Sequence, residues 1–314
     1  MPAVEFIING SLARAGSHFL SLCRAAADRV GWTSELVVTD KAHAGVDAAR
    51  DAAARGVDLV VAVGGDGTVR GCAEALAGTA VPLGIVPLGT ANLLARTLGI
   101  PTHPGTALAV ALAHGATTSR GSQDRRIDLA SADGAPFTAM AGMGLDAAVV
   151  SATRLKHHLG WLAYAVSGAA HLATPHATFT IRLDGGEPFE RRACSVVVGN
   201  SGLLPGGFSL LPNARIDDGL LDVGVLAPHG PLGWPKVAAR VLTNSHAQDR
   251  HLERFQAREV EITTHVPLPR EIDGELVAPA KTLTVRVRQS ALTVRTPLPR
   301  PALAGRARAF LTRS

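Results

Sequence analysis

A chain of 314 residues, 46% of them hydrophobic, suits two ordinary cores better than one, because single cores rarely grow beyond about 250 to 300 residues. Its net charge of +5 and pI near 9.6 suit an anionic partner, but 4% aromatic residues and the absence of zinc-finger spacing argue against nucleic acid. Three cysteines, Cys23, Cys72 and Cys194, odd in number and without CxxC spacing, argue against a disulfide framework or a zinc site.

The opening MPAVEFIING carries Glu5 and no basic segment followed by an apolar one, so a cytoplasmic protein without a secretory signal is expected. Val4 to Ile8, Glu35 to Thr39, Asp58 to Val63 and Pro82 to Val86 read as strands. Ser17 to Val30, His43 to Arg55 and Val69 to Ala77 read as the helices between them, with Gly31, Gly56 and Gly78 as stops. This βαβ alternation predicts an α/β fold with a parallel sheet, whose ligands bind beyond the carboxyl ends of the strands. A small polar stretch at Thr117 to Gln123 marks the break. Beyond it, His157 to Ile181 approaches a membrane span in apolarity but is interrupted by Gly, Ser, Thr, Pro and His. It reads as a buried core helix, or functionally as the wall of an acyl-chain cleft. Ala193 to Val198, Leu221 to Val225, Glu259 to Thr263 and Thr282 to Val287 are rich in β-branched residues and predict a mainly antiparallel second domain. The division expected is 1–122 and 123–299, with the Arg-rich tail 300–314 returning to the first domain, touching anionic lipid or standing in solvent.

Gly64, Gly65, Asp66, Gly67 and Thr68 follow a strand and precede a helix. Glycines there admit an anion to the backbone, and the helix N-terminus favours phosphate. Neither the P-loop pattern nor the Rossmann glycine spacing is present in this turn. A carboxylate beside phosphate needs hydrogen bonds from loop groups or a cation, so Asp66 points to a metal nucleotide. The turn Pro87 to Asn92 occupies the same topological position, with Thr90 or Asn92 available to cap the next helix or to touch ligand.

The ordered motifs GGDGT at Gly64, PLGTANLLAR from Pro87, IDLA from Ile127, AGMGLDA from Ala141, LPNARIDDGLLDV from Leu211 and IDGE from Ile272 span nearly the whole chain. Together they resemble the diacylglycerol kinase catalytic-domain superfamily of lipid kinases, which takes in bacterial YegS-like and DgkB-like enzymes and the sphingosine and ceramide kinases. GGDGT alone is shared with NAD kinases. The resemblance implies a nucleotide-binding α/β domain, a β-rich lipid domain and a cleft between them. It implies that Asn9, Thr39, Gly64, Gly65, Asp66, Gly67, Thr68, Thr90 and Asn92 serve ATP. Asp273 is implied as the general base and Glu275 as a neighbouring orienting acid, although Asp-Gly between strands is also an ordinary turn signal. Asp218, with the carbonyls of Arg215 and Leu220, is implied as a Mg²⁺ loop, separate from the ion that travels with ATP. Asp128 and Asp146 are expected to be structural, and the spacing of His157, His158, His171 and His176 gives no convincing metal set.

Two departures stand out. The family's opening Asn-Pro-x-Ser-Gly reads Asn9, Gly10, Ser11, Leu12, Ala13, and Leu93 replaces an acid common after Asn92. The expectation is an ATP-dependent kinase acting on a diacylglycerol, sphingoid or related lipid, peripherally associated with a membrane at most, with a homodimer left open. The rival readings are an NAD kinase-like enzyme and a catalytically silent lipid- or nucleotide-binding protein.

Overall fold

Four short β-branched runs in the first ninety residues become parallel strands; three are buried on both faces, and the fourth, Thr33–Thr39, is a half-exposed edge. The computed structural model describes residues 1–10, 17–39, 45–113, 121–144, 176–203, 209–229, 233–243, 245–247 and 250–299. β1 (Ala3–Asn9), β2 (Thr33–Thr39), β3 (Leu59–Gly64) and β4 (Leu83–Pro87) lie in the order β4-β3-β1-β2. The connecting helices are α1 (Ser17–Arg29), α2 (Val46–Arg55) and α3 (Asp66–Leu76), followed by α4 (Leu93–Thr97) and α5 (Pro104–Leu112). α2 stops where Gly56, at φ 75°, supplies the left-handed cap.

α3 begins three residues before the expected Val69, so the second half of the GGDGT motif is the helix's first turn. An acid there is favourable, since Asp66 meets the positive end of the helix dipole.

The second half is antiparallel, as its β-branched runs predict. β5 (Ser122–Ala132), β6 (Ala135–Phe137) and β7 (Met140–Gly144) are followed by β8 (Ala177–Leu183), β9 (Phe189–Ala193) and β10 (Ser195–Gly199). Then come β11 (Leu221–Leu226), α6 (Gly233–Leu242), β12 (Leu252–Ala257), β13 (Glu259–Ile272) and β14 (Glu275–Pro297). The expected helix over His157 to Ile181 is corrected at its end: residues 177–181 belong to β8. Phe179 and Ile181 alternate inward there, and the strand pairs with β9 and β13. Residues 145–175, which hold the rest of that segment with Asp146, His157, His158 and His171, lie outside the described residues, as do 117–120 of the expected break and the tail 300–314.

β14 is far longer than the expected Thr282 to Val287. Its 23 residues pair with β13 and β5 and, at Val294 opposite Leu83, run parallel to β4. The parallel and antiparallel strands therefore form one mixed sheet. The first buried cluster packs Phe6, Ile7, Val61, Ile85, Leu94 and Leu108 against Ile127, Leu292 and Val294. The second gathers Met143, Phe179, Val196, Val223, Leu283 and Val285, and the third lies under α6 around Leu211, Trp234 and Val237.

Candidate active site

The strand order reverses between β1 and β3, and an open sheet of this kind places its ligand crevice at the carboxyl ends of the strands where the order turns. Asn9 ends β1 and Gly64 ends β3 there; Asn9 Nδ2 donates to Thr68 Oγ1 at 3.3 Å, tying the first strand to α3. Thr39 ends β2, and its hydroxyl donates to the Ile8 carbonyl at 3.3 Å, so its placement is local to the strand ends. Gly10 explains the missing proline of the opening motif. A Cβ at that position would lie 2.3 Å from the Thr39 carbonyl oxygen, so only glycine fits between these strand ends.

The two βα turns touch backbone to backbone. The Leu88 amide donates to the Gly64 carbonyl at 2.8 Å, and a Cβ on Gly89 would stand 2.5 Å from Gly65 Cα. Both oxygens of Asp66 are used in this junction: Oδ2 accepts from the Asn92 amide at 2.9 Å and Oδ1 from the Leu93 amide at 2.6 Å. Of the two ways to accommodate a carboxylate beside phosphate, the structure uses hydrogen bonds from loop groups, so Asp66 is engaged as a brace rather than aimed at a metal. Asn92, in the left-handed region at φ 48°, accepts from the Gly89 amide at 3.0 Å and donates to the Gly89 carbonyl at 2.7 Å. Thr90 is exposed at the crest of this turn. The amides of Asp66, Gly67 and Thr68 stand ahead of the first intrahelical bond of α3, from the Val69 amide to the Gly65 carbonyl. Such leading amides are where an anion binds.

The IDGE motif closes the β13–β14 hairpin. Asp273 and Gly274 both have positive φ, 47° and 78°, the signature of a type I′ turn, and Ile272 pairs with Glu275 across it. The hairpin tip docks on the segment entering β7. Asp273 Oδ1 accepts from the amides of Ala139 (2.8 Å) and Met140 (3.2 Å), and Oδ2 from the amide (2.9 Å) and hydroxyl (3.2 Å) of Thr138. Its own amide donates to the Met140 carbonyl at 2.9 Å. Burial pushes this carboxyl above the usual carboxylate range, outweighing the lowering effect of those amides and of the Arg70 charge. Although the turn residue is partly exposed, its carboxylate is enclosed and its hydrogen-bonding capacity is used. Glu275 is the opposite case. Its side chain is 54% exposed and meets Arg70 of α3 at 2.6 Å. The two acids of one motif thus have separate tasks open to them, one structural and one chemical.

The loop proposed for Mg²⁺ is held from behind by Asp128, which is almost fully buried. Asp128 Oδ2 accepts from the Gly219 amide at 2.6 Å, Oδ1 from the Ser290 amide at 2.7 Å, and its own amide donates to the Ile216 carbonyl. Its structural role is therefore visible. Asp218 Oδ1 accepts from the Leu220 amide at 3.0 Å, while Asp217 is bound by Arg125 at 2.6 Å with Arg215 at 3.5 Å. Burial would raise the Asp217 carboxyl, but the two arginines win and hold it below its usual range. Nearby, burial pushes Asp222 up to about 6, reinforced by the charge of Asp218. Asp222 Oδ2, Asn200 Oδ1 and Ser201 Oγ are buried and have no hydrogen-bond partner among the described residues. Hard oxygen donors beside uncompensated buried oxygens fit a cation of the Mg²⁺ kind with retained water. No cluster of three or more His, Cys, Asp or Glu suited to a metal occurs among the described residues, so such an ion would depend on backbone carbonyls as well.

Sequence reasoning passed over Arg70 and the amides of residues 138–140. Arg70 lies four residues after Asp66 and therefore on the same helix face, a spacing that carries the signal. Nothing in the local sequence around Thr138 reveals that its backbone receives Asp273.

Residues 4–121 match the diacylglycerol kinase catalytic domain, and residues 139–296 match the YegS C-terminal NAD kinase beta sandwich-like domain. A probable lipid kinase YegS-like of Pseudomonas fluorescens is 33% identical over 280 residues, covering 88% of this chain and 89% of its own. A diacylglycerol kinase of Bacillus subtilis is 29% identical over 253 residues, covering 79% of this chain and 81% of its own. The crystal structure of a diacylglycerol kinase from Bacillus anthracis shares the fold at a TM-score of 0.72. It is 24% identical, and the match covers 93% of this chain and 96% of that one.

Proposed function

The chain belongs to the YegS-like lipid kinase family, and we propose that it transfers the γ-phosphoryl group of ATP to a hydroxyl of a diacylglycerol, sphingoid or related lipid. The observation that carries this reading is the 2.6 Å pair between Arg70 and Glu275, which sets an accessible carboxylate against the helix that begins at the glycine loop. Phosphoryl transfer asks a protein mainly to position donor and acceptor and to orient a base on the attacking hydroxyl.

In this reading the leading amides of α3, with Gly64, Gly65 and Gly67, receive the phosphates, and Asn9, Thr39, Thr68 and Thr90 border the nucleotide. Asp66 and Asn92 act one step back, by locking the two turns together. Glu275, in place of the Asp273 implied by the resemblance, takes the proton of the lipid hydroxyl as the hydroxyl oxygen attacks the γ-phosphorus, the bond to the β,γ-bridging oxygen breaks and ADP leaves. Asp273, its oxygens engaged by residues 138–140, fixes the hairpin that carries Glu275. Mg²⁺ bound with ATP supplies neutralisation of phosphate charge. A further Mg²⁺ would be held by Asp218 with the carbonyls of Arg215 and Leu220, ordering the loop behind the site.

The two family matches support a nucleotide-binding part over 1–122 and a lipid-binding part over 123–299. No helix among the described residues is long and apolar enough to cross a membrane, so the acceptor would be met by peripheral contact with a bilayer surface.

The test supplies labelled ATP with a total lipid extract and identifies the labelled product. Glu275→Gln is expected to lower kcat by roughly 10² to 10⁴ with Tm unchanged. Asp273→Asn is expected to lower Tm as well, because an NH2 group replaces one of the two oxygens that accept from residues 138–140. Folded wild-type protein that binds ATP yet labels no lipid would overturn the assignment.

A further inference from the structure

Arg70 and Glu275 are 205 positions apart in sequence, yet Nη2 of one and Oε2 of the other are 2.6 Å apart. Their side chains are 23% and 54% exposed, and half-exposed pairs of this kind add little to stability, so the consequence of the contact is geometric. Among the described residues it is the ion pair that joins α3 to the β13–β14 hairpin. Both ends are already constrained. α3 is anchored through Asp66 and Thr68 to the neighbouring turn and to β1, and the hairpin tip is anchored through Asp273 to residues 138–140. The Glu275 side chain, starting from an exposed strand position, is the remaining free element, and Arg70 removes that freedom.

We propose that Arg70 is a positioning residue: its guanidinium holds the Glu275 carboxylate at the face of the phosphate helix, so that base and phosphoryl donor share one geometry. This rests on the assignment of Glu275 as base, which the preceding subsection makes. An arginine suits the task because its planar fork fixes the direction of its partner, whereas a lysine ammonium supplies only a point charge. The Arg70 side chain lies one helical turn beyond Asp66, on the helix that the glycine loop begins.

Four variants separate this role from its alternatives: Arg70→Met, Arg70→Lys, Glu275→Gln and the double variant Arg70→Met/Glu275→Gln. Arg70→Met is expected to lower kcat roughly 10- to 100-fold, the scale of a misplaced catalytic group, with KM for ATP within about twofold of wild type. Arg70→Lys retains more activity than Arg70→Met. In the Glu275→Gln background, removing Arg70 costs nothing further, since the group it positions is already gone. A loss that multiplies in the double variant, or wild-type kcat in Arg70→Met, overturns the inference.

A side-chain readout needs no substrate. By NMR, Arg70→Met is expected to give the Glu275 side-chain carbons the averaged shifts and fast relaxation of a freely rotating glutamate, with the backbone amides of residues 271–277 unmoved. An unchanged Glu275 side chain rejects the positioning role whatever the enzyme phosphorylates. Failure of wild type to label any lipid would instead reject the proposed function, and the side-chain result would still judge Arg70.

Discussion

Buried carboxylates in this chain differ according to what meets them. Asp128 and Asp273 are satisfied by backbone amides, whereas Glu5, 1% exposed on β1, has only the half-exposed Arg55 to offset its burial and feels Glu35 as a like charge. Burial wins, and the Glu5 carboxyl is raised above its usual 4.5. A raised acid favours the protonated fold. Below pH 4.5 Glu5 is neutral in folded and unfolded chains alike; as pH rises, the unfolded chain ionises first, and stability is lost until the folded pKa has been passed. Glu5→Gln mimics the neutral form. Its stability relative to wild type is therefore expected to improve between pH 4 and pH 7, as measured by urea denaturation at the two pH values. A constant difference would mean that Arg55 fully compensates the charge. Arg55 is half-exposed, which limits how much it can offset.

The pair of βα turns acts as one element, because Gly65 and Gly89 leave no room between their backbones. Gly89→Ala would bring a Cβ to 2.5 Å from Gly65 Cα and 2.9 Å from Asn92 Oδ1, so the turns must separate. The expected cost is roughly 1 to 3 kcal/mol in stability, with weaker ATP binding measured by calorimetric titration. Gly67→Ala, whose Cβ would meet nothing within 4 Å, is the control for helix-start effects. Much of this element was legible: strand, glycine turn and helix follow from hydrophobic period and from the chemistry of phosphate binding. What was not legible is the destination of each carboxylate. Asp66 finds its donors 26 and 27 positions away and Asp273 finds its own more than 130 away, and period-based reading carries no information at that range. The same limit hid the length of β14, in which Arg286 and Arg288 face solvent and Ser290 is left-handed at φ 51°. Asp128 receives the Ser290 amide and lets the strand continue past its bulge.

At the scale of the molecule, that continuation decides how the two halves depend on each other. β14 starts at the hairpin that carries Asp273 and Gly274, crosses the antiparallel half and ends beside β4, where the Ala291 carbonyl also accepts the Gly78 amide at 2.7 Å. Ala291, Leu292 and Val294 of the same strand are buried in the first core, while Leu283 and Val285 are buried in the second. One strand thus contributes side chains to both cores, so neither half completes its packing without the other. Leu292, 1% exposed, faces Ile127 of β5. Leu292→Ala removes buried methyl groups from the first core and is expected to cost about 2 to 5 kcal/mol. Because the strand is shared, the loss should appear in differential scanning calorimetry as one transition moved to lower temperature, with the antiparallel half melting together with the parallel half. Two separated peaks, the first moved and the second unmoved, would mean that β14 passes no stability between the cores. Coincident melting would tie the integrity of the two βα turns to that of the hairpin presenting Glu275, by way of the strand rather than through the Arg70 contact alone.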